Sequence, residues 1–304
     1  MPVPDFQSLL LPMLRFAADG KDHSLAEARE VLAKEFNLTP EELASLLPSG
    51  RQAVFANRAA WAKVYLAQAG LLTSPKRGHF VISSQGVEVL KDPPHRIDIK
   101  YLERFPQFVE FRYSRRREAA GAVQADETET SELATPEETL ENAYSKLRGA
   151  LAADLLAKVK SATPEFFEKL VVTLLLAMGY GGSRADAGRA IGRGGDGGID
   201  GIIDEDRLGL DAIYIQAKRW EGSVGRPEIQ KFVGALHGQR ARKGVFITTS
   251  AFTNDAVGYA NRVENRIVLI DGRRLAELMI DFGVGVSVEA TYVIKKIDSD
   301  FFEE

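Results

Sequence analysis

Asp200 and the triplet Gln216-Ala217-Lys218 are the residues whose types and spacing best suit chemistry. Asp200 lies in Ile199-Asp200-Gly201-Ile202-Ile203, and the triplet ends Asp211-Ala212-Ile213-Tyr214-Ile215-Gln216-Ala217-Lys218. Both stretches have strand composition, and Asp204 to Gly209 supplies a turn, so two adjacent antiparallel strands are predicted. Side chains alternate along a strand, so Gln216 and Lys218 project together while Ala217 lies behind. An aspartate, an amide and a lysine at one point have two readings. One is an ordinary Asp–Lys salt bridge at a sheet end. The other is a reactive site, because an unpaired buried charge costs several kcal/mol, roughly. In that reading Asp200, the Gln216 side chain and the Ala217 carbonyl are hard oxygen ligands for Mg²⁺, which keeps its remaining waters. Lys218 then positions or helps deprotonate an attacking water and offsets charge on a phosphate.

Other chemistries find little support. Cysteine is absent, which removes disulfides, thiolate zinc sites and cysteine nucleophiles. His23, His79, His95 and His237 are far apart, so a multi-histidine metal centre is not expected, and His237 is given no catalytic part. Gly192-Arg193-Gly194-Gly195-Asp196-Gly197 matches G-x-G-x-x-G, but that motif needs a helix after it, and Ile199 to Ile203 reads as strand. Asp196 shapes that glycine run or binds solvent rather than ligating metal. Thr248-Thr249-Ser250 follows a strand and could hold a phosphate or cap the next helix. Arg219-Trp220 and Arg115-Arg116-Arg117 could touch DNA, or be a packed tryptophan and an exposed basic run.

The elements that must position these residues are legible in outline. Thr163-Pro164 opens a helix whose wide apolar face is Phe167, Leu170, Val171, Leu174 and Leu175. After the two strands come a helix from Pro227, a strand Val245–Thr248, a helix Thr253–Val263, a strand Ile267–Ile270 and a helix Arg273–Phe282. That order predicts a mixed sheet flanked by helices. Towards the N-terminus, Phe55, Ala59, Ala62 and Leu66 form one helical stripe, followed by Leu71–Thr73 and His79–Ile82 around a Pro/Gly turn. A helix and then a hairpin with a basic tip is the layout of a winged helix. From Arg51 to Val87 there is no acid, whereas Arg51, Arg58, Lys63, Lys76 and Arg77 are basic. The helix would enter a major groove, with Lys76 and Arg77 on phosphates.

With 304 residues and a net charge of −4, two domains are expected and no overall positive field. Glu118 to Glu141 holds acids and no Lys or Arg, and it reads as a solvated linker. The expected division is a DNA-binding domain at 1–93, a helical, acidic linker at 94–160 and a second domain at 161–304. No stretch is apolar for long enough to span a bilayer, and a cytoplasmic, nucleoid-associated protein is expected.

Several separated segments resemble, in order and spacing, the Mrr family of modification-dependent (type IV) restriction endonucleases. They are GRGGDGGIDGII, YIQAKRW with VGRPEIQKFVGAL after it, and GVFITTSAFT in the second domain, and NRAAWAKVYLAQAGLL and GHFVISSQG in the first. The acidic tail Asp298 to Glu304 is similar too. The resemblance implies an α/β multidomain protein: an N-terminal winged helix and a C-terminal PD-(D/E)xK restriction-endonuclease-like domain. It places the Mg²⁺-binding aspartate on Asp200 and a Q-x-K triplet on Gln216 and Lys218. Gln216 stands where the wider superfamily has an acid, which removes one negative charge. Glu168 matches the acid many such nucleases place beside the metal, although a solvated helix residue reads the same way. The implied substrate is double-stranded DNA carrying methylated bases. Two rivals are an inactive DNA-binding regulator on a nuclease fold, and a structure-selective nuclease that prefers branched DNA. One site cuts one strand, so a homo-oligomer is expected.

Overall fold

The computed structural model describes residues 3–76, 78–118, 133–181, 188–190, 198–205, 210–295, 297 and 301. It divides into two compact units, residues 1–147 and 148–304, each with its own core.

The first unit contains α1 (Leu10–Phe16), β1 (His23–Ser24), α2 (Leu25–Glu35), α3 (Pro40–Ala44), α4 (Val54–Gln68), β2 (Leu72–Thr73), β3 (His79–Ile82), α5 (Ser84–Lys91), α6 (Ile99–Leu102) and α7 (Pro106–Glu118). Both α2 and α3 open with a reciprocal capping box, Ser24 with Glu27 and Thr39 with Glu42. The stripe Phe55, Ala59, Ala62 and Leu66 of α4 is buried with Leu10, Met13, Leu14, Leu32 and Phe80. The hairpin pairs Leu72 with Ile82 and Thr73 with Val81, and β1 adds to its other side in the order β1-β3-β2.

This unit does not stop at the boundary expected at 93. Ile97, Ile99, Leu102 and Phe108 are buried in the same core, so α6 and α7 belong to it. The acidic stretch also departs from the solvated linker expected there. Helix α8 (Pro136–Ser161) begins within the first unit. Thr135 and Glu138 are buried and cap each other: Thr135 N–H donates to Glu138 Oε2 (2.8 Å), and Glu138 N–H donates to Thr135 Oγ1 (3.2 Å). The acids from Asp126 to Glu132 lie outside the described residues.

The second unit holds the C-terminal part of α8, α9 (Pro164–Ala177), β4 (Gly188–Ala190), β5 (Gly201–Asp204), β6 (Ala212–Lys218), α10 (Arg226–Gly238), β7 (Lys243–Thr248), α11 (Asn254–Ala260), β8 (Arg266–Ile270) and α12 (Gly272–Asp281). Thr163 caps α9 by accepting from Phe166 N–H, with Pro164 in the first turn. The five strands run in the order β4-β5-β6-β7-β8. The β4–β5 and β5–β6 pairs are antiparallel, and β6–β7 and β7–β8 are parallel. The sheet is therefore mixed, as expected, with β4 as a strand the sequence did not announce. Its α10 and α11 crossovers are what parallel neighbours require. One core sets α8, α9 and α12 against Ile213, Ile215, Val245, Ile247 and Ile270. Phe246 packs with α10 and α11, with Tyr214 at that cluster's edge. Leu155 and Val159 of α8 are buried here, so the second unit starts before the 161 expected. Among the described residues, no helix is long and apolar enough to cross a membrane.

Candidate active site

The junction of β5 and β6 gathers the chemistry. Register sets Gly201 opposite Ile215, so Asp200 falls one step outside the ladder, beside Gln216. Asp200 N–H donates to the Ile215 carbonyl (2.8 Å), and its Oδ2 accepts from Ala217 N–H (2.7 Å). The carboxylate is thus tied to the backbone of the triplet it was expected to join. Gln216 is 4 % exposed, and its Oε1 is buried with no hydrogen-bond partner. A buried polar oxygen without a partner costs about 1–3 kcal/mol, so this atom calls for a ligand.

Gly198 supplies the other wall. Its φ of +105° is in the region that favours glycine, and a Cβ there would lie 2.9 Å from Gln216 Nε2. The glycine lets the incoming chain pass close against the amide.

Lys218 closes β6, and its Nζ lies 5.6 Å from the Trp220 ring centroid, a cation–π contact. Glu168 projects from α9 and senses the Asp200 charge. Burial pushes the Asp200 carboxyl above its ordinary range, and the Ala217 N–H and the Lys218 charge only partly oppose this. Glu168 is also raised, first by burial and then by the negative charges of Asp200 and Glu165. The Asp200 carboxylate beside an unpartnered amide oxygen, with Glu168 near enough to feel its charge, suits a hard divalent cation. Among the described residues, no three His, Cys, Asp or Glu side chains group as a metal cluster. The oxygens the described residues offer an ion here are those of Asp200, with neutral oxygens of the Gln216-Ala217 stretch beside it.

The remaining candidates separate. Thr248 and Thr249 turn their hydroxyls inward, to the carbonyls of Lys218 (2.9 Å) and Trp220 (2.9 Å), instead of presenting them to a phosphate. Arg219 donates to the Lys160 carbonyl (2.6 Å). His237 is exposed in the last turn of α10. Asp196, and the glycine run around it, lies outside the described residues, as do the side chains of Arg115, Arg116 and Arg117.

The basic residues of the first unit are not gathered on one open helix face. Arg58 turns inward: Nε and Nη2 each lie 2.8 Å from Glu138 Oε1, and Nη1 donates to the carbonyls of Val3 (2.6 Å) and Pro4 (3.1 Å). Trp61 Nε1 donates to Glu137, and Tyr65 packs on Phe108 and Phe111 of α7. The Arg58–Trp61–Tyr65 side of α4 is therefore covered, and before Gln68 no α4 residue is fully exposed. Lys63 is half-buried, which lowers its pKa. Lys76 pairs with Asp22 (3.1 Å), which also holds His79 (2.9 Å). Arg51 is exposed, and Arg77 lies outside the described residues.

Residues 159–279 match the family model described as restriction endonuclease, and residues 6–92 match the Mrr N-terminal domain. A curated relative, the type IV methyl-directed restriction enzyme EcoKMrr of Escherichia coli (strain K12), is 40% identical over 308 residues, covering all of both chains. The chain belongs to the Mrr family of restriction endonucleases. The segment matching the Mrr catalytic model contains Glu168, Asp200, Gln216 and Lys218, and also Thr248 and Thr249. The Mrr N-terminal match ends at 92, so α6, α7 and the start of α8 are packed onto the first unit from outside it. Among solved structures, the DNA modification-dependent restriction endonuclease AspBHI is similar over 70% of this chain and 56% of its own, with 16% identity and a TM-score of 0.36. The MspJI restriction endonuclease, in complex with a 27-mer oligonucleotide, is similar over 66% of this chain and 47% of its own, with 20% identity and a TM-score of 0.27.

Proposed function

We propose that this Mrr-family endonuclease hydrolyses phosphodiester bonds in methylated double-stranded DNA, in the cytoplasm and with Mg²⁺ as cofactor. The observation that carries the reading is the buried, unpartnered Gln216 Oε1 beside the Asp200 carboxylate. Asp200, Gln216 Oε1 and the Ala217 carbonyl would hold the ion, with Glu168 as a second carboxylate nearby. When bound, Mg²⁺ supplies positive charge to the phosphoryl oxygens and acidifies water. Lys218 orients the attacking water and offsets charge on the phosphate, its ammonium steadied by the Trp220 ring. Gly198 keeps the Gln216 amide turned into the site. Water attacks phosphorus in line with the leaving oxygen, which departs as the P–O bond breaks.

In the same proposal α1, α2, α4 and the β2–β3 hairpin form a winged-helix reader. Arg51, Lys63, Lys76 and Arg77 contact DNA, and Lys76 exchanges Asp22 for a phosphate. Arg58 drops out of that set because Glu138 already holds it. Methyl preference comes to the chain from its E. coli relative, which is named methyl-directed. A double-strand break needs two sites, which a homo-oligomer supplies.

The test is supercoiled plasmid, methylated or unmethylated, incubated with Mg²⁺ or EDTA. The proposal expects cutting of methylated plasmid with Mg²⁺ only, and none by Asp200→Ala or Lys218→Ala, both of which still shift DNA on a gel. Calorimetric titration should also show weaker Mg²⁺ binding by Asp200→Ala. Cleavage by either variant, or a wild type that shifts plasmid and never cuts it, would overturn the proposal.

A further inference from the structure

We propose that Thr248 and Thr249 are positioning residues for Lys218, acting on the backbone that carries it; this rests on Lys218 being catalytic. The last register pair between β6 and β7 is Lys218 with Thr248. Beyond it the chain turns, with Trp220 N–H donating to the Lys218 carbonyl (3.1 Å), and the ladder does not reach the Trp220 carbonyl. The two threonines replace it. Thr248 Oγ1 donates to the Lys218 carbonyl (2.9 Å), and Thr249 N–H reaches the same oxygen (3.3 Å). Thr249 Oγ1 donates to the Trp220 carbonyl (2.9 Å).

The pair is 0% and 1% exposed, so neither hydroxyl has water as an alternative partner. Thr248 Oγ1 is fixed from a further side, because Ser250 N–H donates to it (3.2 Å). Each hydroxyl therefore points one way. What it fixes is the spacing between Lys218 and Trp220, and the ammonium of the first lies over the ring of the second. Without the hydroxyls the Lys218 carbonyl keeps only the Trp220 and Thr249 N–H groups and the Trp220 carbonyl loses the Thr249 hydroxyl, so the end of β6 can shift and move the ammonium relative to Asp200. DNA contacts made elsewhere would be untouched. The clamp should therefore show in turnover and not in binding. A displacement of about 1 Å can cost a hundredfold in rate.

The experiment compares full-length wild type, T248V, T249V and T248S on methylated plasmid with Mg²⁺, measuring kcat and KM separately, with DNA affinity from anisotropy. Valine keeps the shape and removes the hydroxyl. T248V and T249V should each lower kcat about 10- to 100-fold with KM and DNA affinity within about twofold of wild type. T248S, which restores the hydroxyl, should regain most of the lost rate. Wild-type kcat in both valine variants would overturn the proposal. So would equal losses in T248S and T248V, or a change confined to KM. Circular dichroism checks folding: if T248V does not fold, T249V decides by the same criteria. Failure of both to fold makes the pair structural and overturns the proposal as well. Lys218→Ala is run alongside: cleavage retained there would sink the catalytic reading of Lys218, a result separate from any valine outcome.

Discussion

Replacing Arg58 with methionine should lower the melting point of the first unit and leave the salt dependence of DNA binding unchanged. The Arg58 guanidinium meets Glu138 through two nitrogens, and a third serves the carbonyls of Val3 and Pro4. The two side chains are 20% and 8% exposed, so the pair is screened little by water. In Arg58→Met the aliphatic stem is kept, but Glu138 retains only the Thr135 N–H, and two carbonyls lose their donor. Removing one partner of a buried pair costs about 3–5 kcal/mol, and the residual exposure of Arg58 favours the lower end. Taking about 3–4 kcal/mol, at about 2–4 °C per kcal/mol for a unit of this size the melting point should fall by about 6–16 °C. Glu138→Gln keeps the capping bonds and should cost less. The double variant should recover part of the Arg58→Met loss, since no charge is then left unpaired. Trp61 reports on this unit by fluorescence in a Trp220→Phe background, as these are the two tryptophans. DNA affinity, titrated by anisotropy at three salt concentrations, should keep its slope in Arg58→Met. Lys76→Ala should flatten that slope by about one, as expected for a lost phosphate contact. An Arg58→Met protein that melts within about 2 °C of wild type, with the slope reduced by about one, would make Arg58 a DNA contact and not a structural residue.

Asp200 titrates above its ordinary value when folded, so its neutral form is favoured by the fold: that stability is full at low pH and is lost as pH rises through the raised value. In EDTA, Asp200→Asn should therefore melt above wild type at neutral pH, with the gap closing in acid; a variant less stable across the whole range would contradict this. Gly198→Ala puts a methyl 2.9 Å from Gln216 Nε2 at a φ of +105°, and cleavage should drop about tenfold or more, whereas Gln216→Glu should remain active with altered metal preference; plasmid assays across Mg²⁺ and Mn²⁺ decide, and unchanged cleavage in Gly198→Ala would remove the glycine from the site. A fragment starting at 148 should melt well above one starting at 161, because the shorter one lacks the buried Leu155 and Val159, about 1.5–3 kcal/mol each; equal melting curves by circular dichroism would restore the boundary expected from sequence.

The placement of the candidate site residues was legible because strand alternation is a local rule. Once Ile213 to Lys218 is recognised as a strand, period two puts Gln216 and Lys218 together, and the short turn before it forces the antiparallel partner that brings in Asp200. Helix α9 was equally open to reading, since Thr163, Pro164 and the apolar stripe are all within one element. Strand β4 was not. Gly188-Arg189-Ala190 has no strand composition and exists through its pairing with Gly201 to Ile203. The role of Thr248 and Thr249 was hidden for a similar reason: a hydroxyl at a strand end looks the same whether it faces a phosphate or a carbonyl of the neighbouring strand.

The acidic stretch shows the limit most clearly, and it redirects the DNA question. Thr135, Glu137 and Glu138 read as solvated because nothing near them in sequence is basic or aromatic. Their partners, Asn57, Arg58 and Trp61, are some 80 residues earlier on α4. The periodicity that identifies the buried stripe of α4 says nothing of the flank that carries Arg58 and Trp61. Filling that flank removes Arg58 from the DNA contacts and covers one side of the helix. The proposed DNA contacts then fall to Arg51, before α4, to Lys63, and to Lys76 and Arg77, with Lys76 held at rest by an exposed aspartate, Asp22. An exposed pair of that kind is worth at most about 1 kcal/mol, so a phosphate can displace Asp22 at little cost. The buried Arg58–Glu138 pair has no such freedom. If DNA also needs the covered side of α4, binding must first lift Glu138 away, and Glu138→Gln should then tighten binding as it lowers the melting point. If the hairpin suffices, the same substitution should destabilise the protein and leave DNA affinity where it was.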